Sequence, residues 1–215
     1  MPTRRDMLGA SIVLVACRGK APERPHAEGE EKDVSPNEDL MREHGLLERI
    51  LVIYDEAIAR IAAKRDVPLE VVARGADIVR RFVEDYHEKL EEEHVFPRVA
   101  ATQGPLVATL RAQHAAGRTL TDAIAKHAAA GASGELVPAL AAFNRMYRPH
   151  AAREDTVLFP AFRAAVSDHE YAELGEAFED REHALFGKEG FEGMVAAVAT
   201  LEAELGIADL AVFTP

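Results

Sequence analysis

The sequence is poor in the residues that stabilise disulfide-bonded and aromatic-rich small proteins. Tryptophan is absent, aromatic residues make up 6% of the 215 residues, and there is one cysteine, Cys17. A single cysteine excludes an intrachain disulfide and a zinc site built from cysteine ligands. The many alanine, leucine, glutamate and arginine residues favour helices over a sheet, and the length suits one domain with a short appendage.

Positive charge is also scarce. There are 25 lysines and arginines against 37 aspartates and glutamates, which gives a formal net charge of −12. A nucleic-acid-binding protein needs a basic stripe to neutralise phosphates, and the sequence has none. We therefore expect no nucleic-acid partner. An acidic surface mainly promotes solubility, although carboxylates that lie beside histidines can hold cations.

The N-terminus has an apolar run that is too short to span a membrane. Arg4 and Arg5 precede an apolar segment from Met7 to Ala16. About ten residues is the length of a signal-peptide core and roughly half that of a membrane-spanning helix. The start resembles a twin-arginine export signal. The end, Leu14-Val15-Ala16-Cys17, resembles a bacterial lipobox, whose cysteine becomes the lipidated first residue of the mature protein.

These features predict how the N-terminal segment is used. We expect residues 1–17 to be a twin-arginine-type lipoprotein signal and the polar residues 18–34 to be a flexible tether. The protein would then be exported and lipid-anchored on the periplasmic side of a bacterial cell envelope. Its one contact with the membrane would be lipidated Cys17. The alternative is a disordered leader with a chance cysteine.

Helix start and stop signals divide the rest of the chain. Ser35-Pro36-Asn37-Glu38 is a capping box with proline at the first helical position, and Pro97 and Pro160 would end the second and fourth helices. The predicted helices cover about residues 36–65, 68–95, 104–131, 134–160, 168–187 and 191–205. The sequence thus predicts an all-α fold: an up-down four-helix bundle over residues 35–162 and a C-terminal helical extension over residues 163–215.

An internal repeat carries the chemistry. One copy runs from His87 to Pro97 and the other from His150 to Pro160, 63 residues later. Both read His, three residues, Glu, an acid, two residues, an aliphatic residue and Phe-Pro. A further histidine lies on the helix before each copy, His44 on the first and His114 on the third. The domain therefore reads as two related helical hairpins.

The spacing in this repeat suits metal binding. Residues four apart lie on one face of a helix, about 6 Å apart along its axis, so His87 and Glu91, like His150 and Glu154, can reach the same ion. Apolar residues such as Leu40 and Leu110 share the histidine faces, which places the donors in the core. Buried imidazoles and carboxylates are costly unless they are paired or bind metal. Imidazole with carboxylate suits iron, manganese or zinc rather than calcium or magnesium.

The repeated motif resembles that of the hemerythrin-like family, the histidine–histidine–glutamate cation-binding domains. The resemblance covers about residues 36 to 162. It implies a four-helix bundle that holds two non-haem iron ions bridged by carboxylates and an oxygen atom. Carried over by motif, the terminal ligands are His44, His87, His114 and His150, and the bridging carboxylates are Glu91 and Glu154.

One departure from the family pattern bears on function. Oxygen-carrying hemerythrins have a fifth histidine one turn after the third-helix ligand, and this sequence has Arg118 there. With four histidines, both irons would keep an open position. We expect a protein that binds or senses dioxygen or nitric oxide without turning over an organic substrate. The alternatives are a di-iron oxidoreductase that detoxifies peroxide or nitric oxide, and an iron storage or donation protein.

Several nearby residues have two interpretations. Glu88 and Glu92 are expected on a solvated face, with coordination or contact with a ligand as the alternative. Tyr147 is expected as a core tyrosine or as a hydrogen-bond donor beside the site, and His94 as a bystander or an additional ligand. A ferritin-like di-iron oxidase uses Glu-x-x-His on two helices. Of the two motif glutamates, Glu91 has a histidine three residues later, His94, whereas Glu154 is followed at that position by Val157, which argues against that fold.

Overall fold

The computed structural model describes residues 34–215, and every regular element within that range is helical. No helix in this part of the chain is long and apolar enough to cross a membrane. The predicted lipoprotein signal, Cys17 and all but the last residue of the predicted tether lie outside the described residues. Those assignments therefore stay predictions.

The first three helices of the bundle are long, and the second of them is irregular. Helix α1 is Pro36–Ala62. Helix α2 covers residues 69–102 and alternates α and π segments: Leu69–Ile78 (α), Val79–His87 (π), Glu88–Leu90 (α), Glu91–Val95 (π) and the first turns of Phe96–Ala129 (α). The last segment bends at Gln103 (φ −121°, ψ 22°), and residues 104–129 form helix α3.

The remaining helices complete the bundle and its extension. Helix α4 covers residues 133–165 as Ser133–Arg153 (α), Glu154–Leu158 (π) and Phe159–Ala165 (α). Helix α5 is Asp168–Phe186, helix α6 is Gly190–Leu205, and a 3₁₀ turn, Leu210–Phe213, follows. The predicted all-α bundle with additional C-terminal helices is confirmed.

The helix starts follow the predicted capping chemistry. The Ser35 hydroxyl accepts a hydrogen bond from the Glu38 backbone N–H at 3.4 Å, and the Ser167 hydroxyl accepts one from the Glu170 N–H at 3.2 Å. Each bond satisfies a backbone donor that has no partner within the first turn of the helix. Helix α1 ends three residues earlier than predicted, because Lys64 adopts φ 54°, which no helix can continue.

The predicted role of the two Phe-Pro pairs is wrong. Pro97 and Pro160 do not end their helices, which continue to the bend at Gln103 and to Ala165. In both cases a π turn comes directly before, and the proline lies in the first turn of the new α segment. A wide π turn moves the preceding carbonyls away from the proline ring, and a first-turn residue needs no intrahelical N–H partner, so the helix tolerates both prolines.

The C-terminal helices pack against α1 and α2 on one side of the bundle. Arg49 of α1 makes a bidentate pair with Glu202 of α6 at 2.8 and 2.6 Å, and Arg74 of α2 pairs with Glu204 at 2.9 Å. The core between the helices contains fully buried aromatic residues, among them Tyr54, Phe82, Phe143, Phe162 and Phe178. The extension therefore covers the half of the bundle that contains His44 and His87.

Candidate metal centre

The four bundle helices bring all six predicted ligand residues together in the core. Helix α1 contributes His44, α2 contributes His87 and Glu91, α3 contributes His114, and α4 contributes His150 and Glu154. None of the six exposes more than 6% of its surface. We call this group the His/Glu cluster. Both glutamates begin a π turn and His87 ends one, and π turns inside α-helices often mark functional sites.

The His/Glu cluster has two halves that share the glutamates. In the first half, His87 Nε2 lies 3.7 Å from Glu91 Oε1, and His44 Nε2 lies 3.4 Å from Glu154 Oε2. In the second half, His114 Nε2 lies 3.4 Å from Glu91 Oε2, and His150 Nε2 lies 3.0 Å from Glu154 Oε2. Each glutamate therefore faces imidazoles of both halves. Groups of donor atoms in each half lie within 4.8 Å of one another, close enough to surround a single cation.

All four imidazoles are oriented by a hydrogen bond at the ring nitrogen that faces away from the centre. In each case Nδ1 bonds a side-chain oxygen, at 2.6 to 3.0 Å. The pairs are His44 with Asp155, His87 with Glu43, His114 with Glu92 and His150 with Gln113. Such a bond places the proton on Nδ1 of the neutral ring and leaves the Nε2 lone pair to bind metal.

Five inward-facing atoms of the cluster lack a hydrogen-bond partner, whereas Nε2 of His44 and Nε2 of His87 lie 3.1 Å apart. Both carboxylate oxygens of Glu91, both of Glu154, and Nε2 of His114 are buried without a hydrogen bond to any of residues 34–215. Each such atom costs roughly 1–3 kcal/mol, and more when it is charged. A cation between the two halves would satisfy these atoms together. The donor set of imidazole nitrogens and carboxylate oxygens fits iron, manganese or zinc.

The electrostatics of the cluster show a shortage of positive charge. Burial disfavours the His44 imidazolium, but the carboxylates around it raise its pKa to about 10. Burial likewise opposes protonation of His114, yet Glu91 and other carboxylates raise its pKa to about 9. Burial lowers the pKa of His87 to about 4. Two shared carboxylates thus attract positive charge to this point in the core, and metal ions would supply it.

The Phe-Pro pairs have a different role from the predicted one. Phe96 stacks on the His114 ring and Phe159 on the His44 ring, each at 5.5 Å between centroids. Each motif thus covers a histidine of another helix. This apolar packing fixes the ring planes and excludes water from the cluster.

The repeat also contains partners that its spacing alone did not assign. The acid after each motif glutamate bonds Nδ1 of the upstream histidine of the other hairpin: Glu92 bonds His114, and Asp155 bonds His44. Its presence in both copies is the signal that would have identified it. Glu43 and Gln113 are counterparts of each other, because each directly precedes the upstream histidine of its hairpin, His44 or His114, and bonds the motif histidine of the same hairpin. Sequence reasoning missed both, although this shared position was a signal for them.

The expected solvated face at Glu88 and Glu92 is wrong. Glu88 is 1% exposed, and its carboxylate accepts hydrogen bonds from the Tyr147 hydroxyl at 2.8 Å and from Arg118 at 2.6 Å. Arg118 also bonds Glu92 at 2.9 Å. Burial would raise the pKa of Glu92, but its bonds with Lys89, Arg118 and a neighbouring imidazole hold it at about 2.

The structure also decides between the two interpretations of Tyr147 and of His94. Tyr147 is a buried core tyrosine and also the hydrogen-bond donor to Glu88. His94 lies away from the His/Glu cluster, half-buried, with its ring 5.5 Å from that of Phe178. It is not among the grouped donor atoms.

Comparison with known proteins identifies a family. A family model described as the hemerythrin HHE cation-binding domain matches residues 35–162 and, in a second match, residues 106–205. The chain is also 45% identical, over 217 aligned positions, to uncharacterized proteins of Mycobacterium tuberculosis and Mycobacterium bovis. The alignments cover 95% of this chain and 85% of each relative. No solved structure matches the chain.

Proposed function

The chain belongs to the hemerythrin HHE cation-binding domain family, and on that premise we propose that its His/Glu cluster holds two non-haem iron ions that bind a small diatomic ligand. The observation that carries the proposal is the set of buried donor atoms without partners, on Glu91, Glu154 and His114. A structural core would pair these atoms or replace them with apolar groups. Metal binding explains why they are kept.

Each residue of the cluster has a definite part in this proposal. His44 and His87 would hold one ion, and His114 and His150 the other. Glu91 and Glu154 would serve both ions, because their oxygens face imidazoles of both halves. The four Nδ1 partners fix the rings before any ion enters, so little reorganisation is needed on binding.

The choice of iron rests on the donor set and on the family. A pair of iron ions would supply reversible electron transfer and open coordination positions for dioxygen or nitric oxide. The protein would supply a dry, preorganised site, with Phe96 and Phe159 packed on the imidazoles. Because Arg118 is held by Glu88 and Glu92, it does not supply a fifth ligand.

Elemental analysis of the purified protein tests the metal assignment. We expect about two iron ions per chain after reconstitution with ferrous iron under anaerobic conditions. Stoichiometric zinc with no uptake of iron on reconstitution would contradict a redox role. A variant with both shared glutamates changed, Glu91→Ala with Glu154→Ala, should contain no iron and is the matched negative control.

A second candidate is an oxidoreductase that consumes peroxide or nitric oxide. The observation that favours it is Arg118, because four imidazoles shared between two ions leave a coordination position open on each. Rapid mixing of the reduced protein with dioxygen, nitric oxide or peroxide distinguishes the two functions. One equivalent bound as a stable adduct supports a binder or sensor, whereas repeated consumption supports an enzyme.

We further propose that the protein acts at the bacterial cell envelope as a lipoprotein. The support is the order of features in the sequence: Arg4-Arg5, a short apolar run and the lipobox that ends at Cys17. Expression in a bacterium with a twin-arginine pathway tests it. The native chain should partition into detergent and incorporate a labelled fatty acid. A Cys17→Ala variant should do neither, and equal behaviour of the two chains would contradict the anchor.

A further inference from the structure

A second group of acidic side chains lies outside the His/Glu cluster, between α1 and the C-terminal extension. Asp39 and Glu43 are one turn apart on α1, and Glu182 reaches them from α5. One carboxylate oxygen from each lies within 4.8 Å of the others. Glu43 is 2% exposed and Glu182 8% exposed, so this is a buried group rather than a solvated acidic surface. We call it the carboxylate triad.

One atom of the triad is buried without a partner. Glu43 Oε2 accepts a hydrogen bond from His87 Nδ1 at 2.6 Å, whereas Glu43 Oε1 is buried and has no hydrogen-bond partner among the described residues. A carboxylate oxygen in that situation costs free energy unless a cation or a proton reaches it. The two other carboxylates of the triad lie beside it and cannot donate when ionised, and the nearby Tyr86 hydroxyl lies 3.5 Å from Glu182 Oε2.

Glu182 is held in place by the start of helix α6. Its Oε1 accepts a hydrogen bond from the Phe191 backbone N–H at 2.8 Å, and its Oε2 lies 3.5 Å from the Tyr86 hydroxyl. Gly190 makes this approach feasible, because a Cβ there would lie 1.9 Å from Glu182 Oε1. The extension thus positions a carboxylate opposite Glu43, with a lone pair of Oε2 still available.

The nearby positive charge does not neutralise the triad. Arg42 lies 3.9 Å from Asp39, but it bonds Glu192 at 3.1 Å and stacks on Phe191 at 4.5 Å. Burial and the charge of Glu43 raise the pKa of Asp39 to about 7. Three acids therefore share a space that contains too little positive charge.

We propose that Asp39, Glu43 and Glu182 bind a third cation, a divalent ion of the kind that prefers oxygen ligands, such as Mn²⁺ or Mg²⁺. Carboxylate oxygens alone suit such ions, whereas the His/Glu cluster suits ions that also accept nitrogen. Asp39 keeps 16% of its side chain exposed and gives the ion a route from solvent. Glu43 links this site to the His/Glu cluster through its bond with His87. Because Glu182 lies on α5, the proposed site gives the C-terminal extension a part in cation binding.

This site goes beyond the proposed function, since none of the six residues of the His/Glu cluster supplies a ligand to it. The test uses Mn²⁺ as the probe and the full chain, loaded with iron beforehand. Protein dialysed to equilibrium against Mn²⁺ is analysed for both metals. The variants are Glu182→Gln and Asp39→Asn, and the matched control is Glu176→Gln, an exposed glutamate on the same helix. A glutamine at 182 still offers an oxygen to the Phe191 N–H, so the start of α6 is preserved.

We expect the native chain and Glu176→Gln to hold one more Mn²⁺ per chain than either triad variant, with the same iron content in all four proteins. Thermal unfolding confirms that the variants fold. Equal Mn²⁺ in all four proteins would overturn the proposal and show that the triad binds protons. Loss of iron in Glu182→Gln without a change in Mn²⁺ would overturn it too. Because the readout is the difference in Mn²⁺ content between the native protein and its variants, the result does not depend on which metal fills the His/Glu cluster.

Discussion

The two halves of the His/Glu cluster have the same ligand types but different surroundings. In the first half, both imidazoles bond carboxylates, Asp155 and Glu43, and in the part of the chain that the structure describes neither carboxylate has a lysine or arginine within ion-pair distance. In the second half, His150 bonds the neutral amide of Gln113, at 2.9 Å. The carboxylate that bonds His114, Glu92, is shared with Lys89 and Arg118.

This difference indicates that the two ions are not equivalent. A carboxylate at Nδ1 increases the basicity of an imidazole and strengthens its bond to a metal, and loss of such a partner typically costs 10- to 100-fold in metal affinity. The first half has two such partners without cationic neighbours. The second has an amide and a carboxylate that two cations already neutralise. We therefore expect the first half to retain its ion when the second half releases one.

The largest effect is expected from the glutamates that both halves share. Glu91→Ala or Glu154→Ala should remove both ions and lower thermal stability, since the free energy of metal binding is part of the free energy of folding. Metal content and melting temperature with and without iron measure this. The control is Glu93→Ala on the same helix, whose side chain is 51% exposed and pairs only with Arg181. Full metal content in either cluster variant would show that its glutamate is not a shared ligand.

Single histidine variants should separate the halves. His87→Ala should remove the first ion and His150→Ala the second, so each variant should keep about one iron per chain. In a competition with a chelator, the ion left in His150→Ala, which occupies the first half, should be released more slowly than the ion left in His87→Ala. The reverse order would contradict the inequality of the halves. Loss of both ions in both variants would show that binding is all-or-none.

A smaller effect is expected when the Nδ1 partners are exchanged between types. Asp155→Asn keeps an acceptor for His44 but removes its charge, and should weaken iron binding in the first half by about tenfold or more. Gln113→Glu adds a charge beside His150 and should strengthen the second half. Iron titrations of the two variants, and of the double variant, measure both changes. Equal affinities in all of these proteins would remove the electrostatic basis of the comparison.

The smallest effect concerns two glycines near the ligand histidines. A Cβ at Gly117 would lie 2.0 Å from the Tyr147 hydroxyl, so Gly117→Ala should displace that tyrosine from Glu88 and destabilise the fold by about 1–3 kcal/mol. Gly45, next to His44 on α1, has open space around its Cβ position. Gly45→Ala should therefore stabilise helix α1 by up to about 1 kcal/mol. Chemical denaturation compares the two, and equal effects would show that Tyr147 is not packed as described.

The fold could be predicted because its signals are local. The Ser35 and Ser167 caps and the repeated motif each consist of residues that are close together in the sequence. The caps predicted where helices begin, and the motif with its upstream histidines predicted the six residues that converge in the core. The repeat even contained the acids Glu92 and Asp155, whose role becomes clear once two copies are compared. Local signals failed at the prolines, because a π turn absorbs Pro97 and Pro160 without any signature that helix rules recognise.

The remaining parts of the site depend on contacts between distant segments. Glu43 on α1 bonds His87 on α2, a residue 44 positions away in the chain. Glu182 meets Glu43 only because α5 and α6 pack on α1. Nothing in the sequence around Glu182 specifies that α5 packs beside α1, so its place near Glu43 follows from the tertiary packing alone.

Anomalous diffraction at the iron absorption edge, from crystals of the reconstituted protein, is the most direct test of the dinuclear site. We expect two iron peaks in the core. One should lie against His44 and His87 and the other against His114 and His150, with Glu91 and Glu154 beside both. A single peak, or iron bound only outside these six residues, would contradict it.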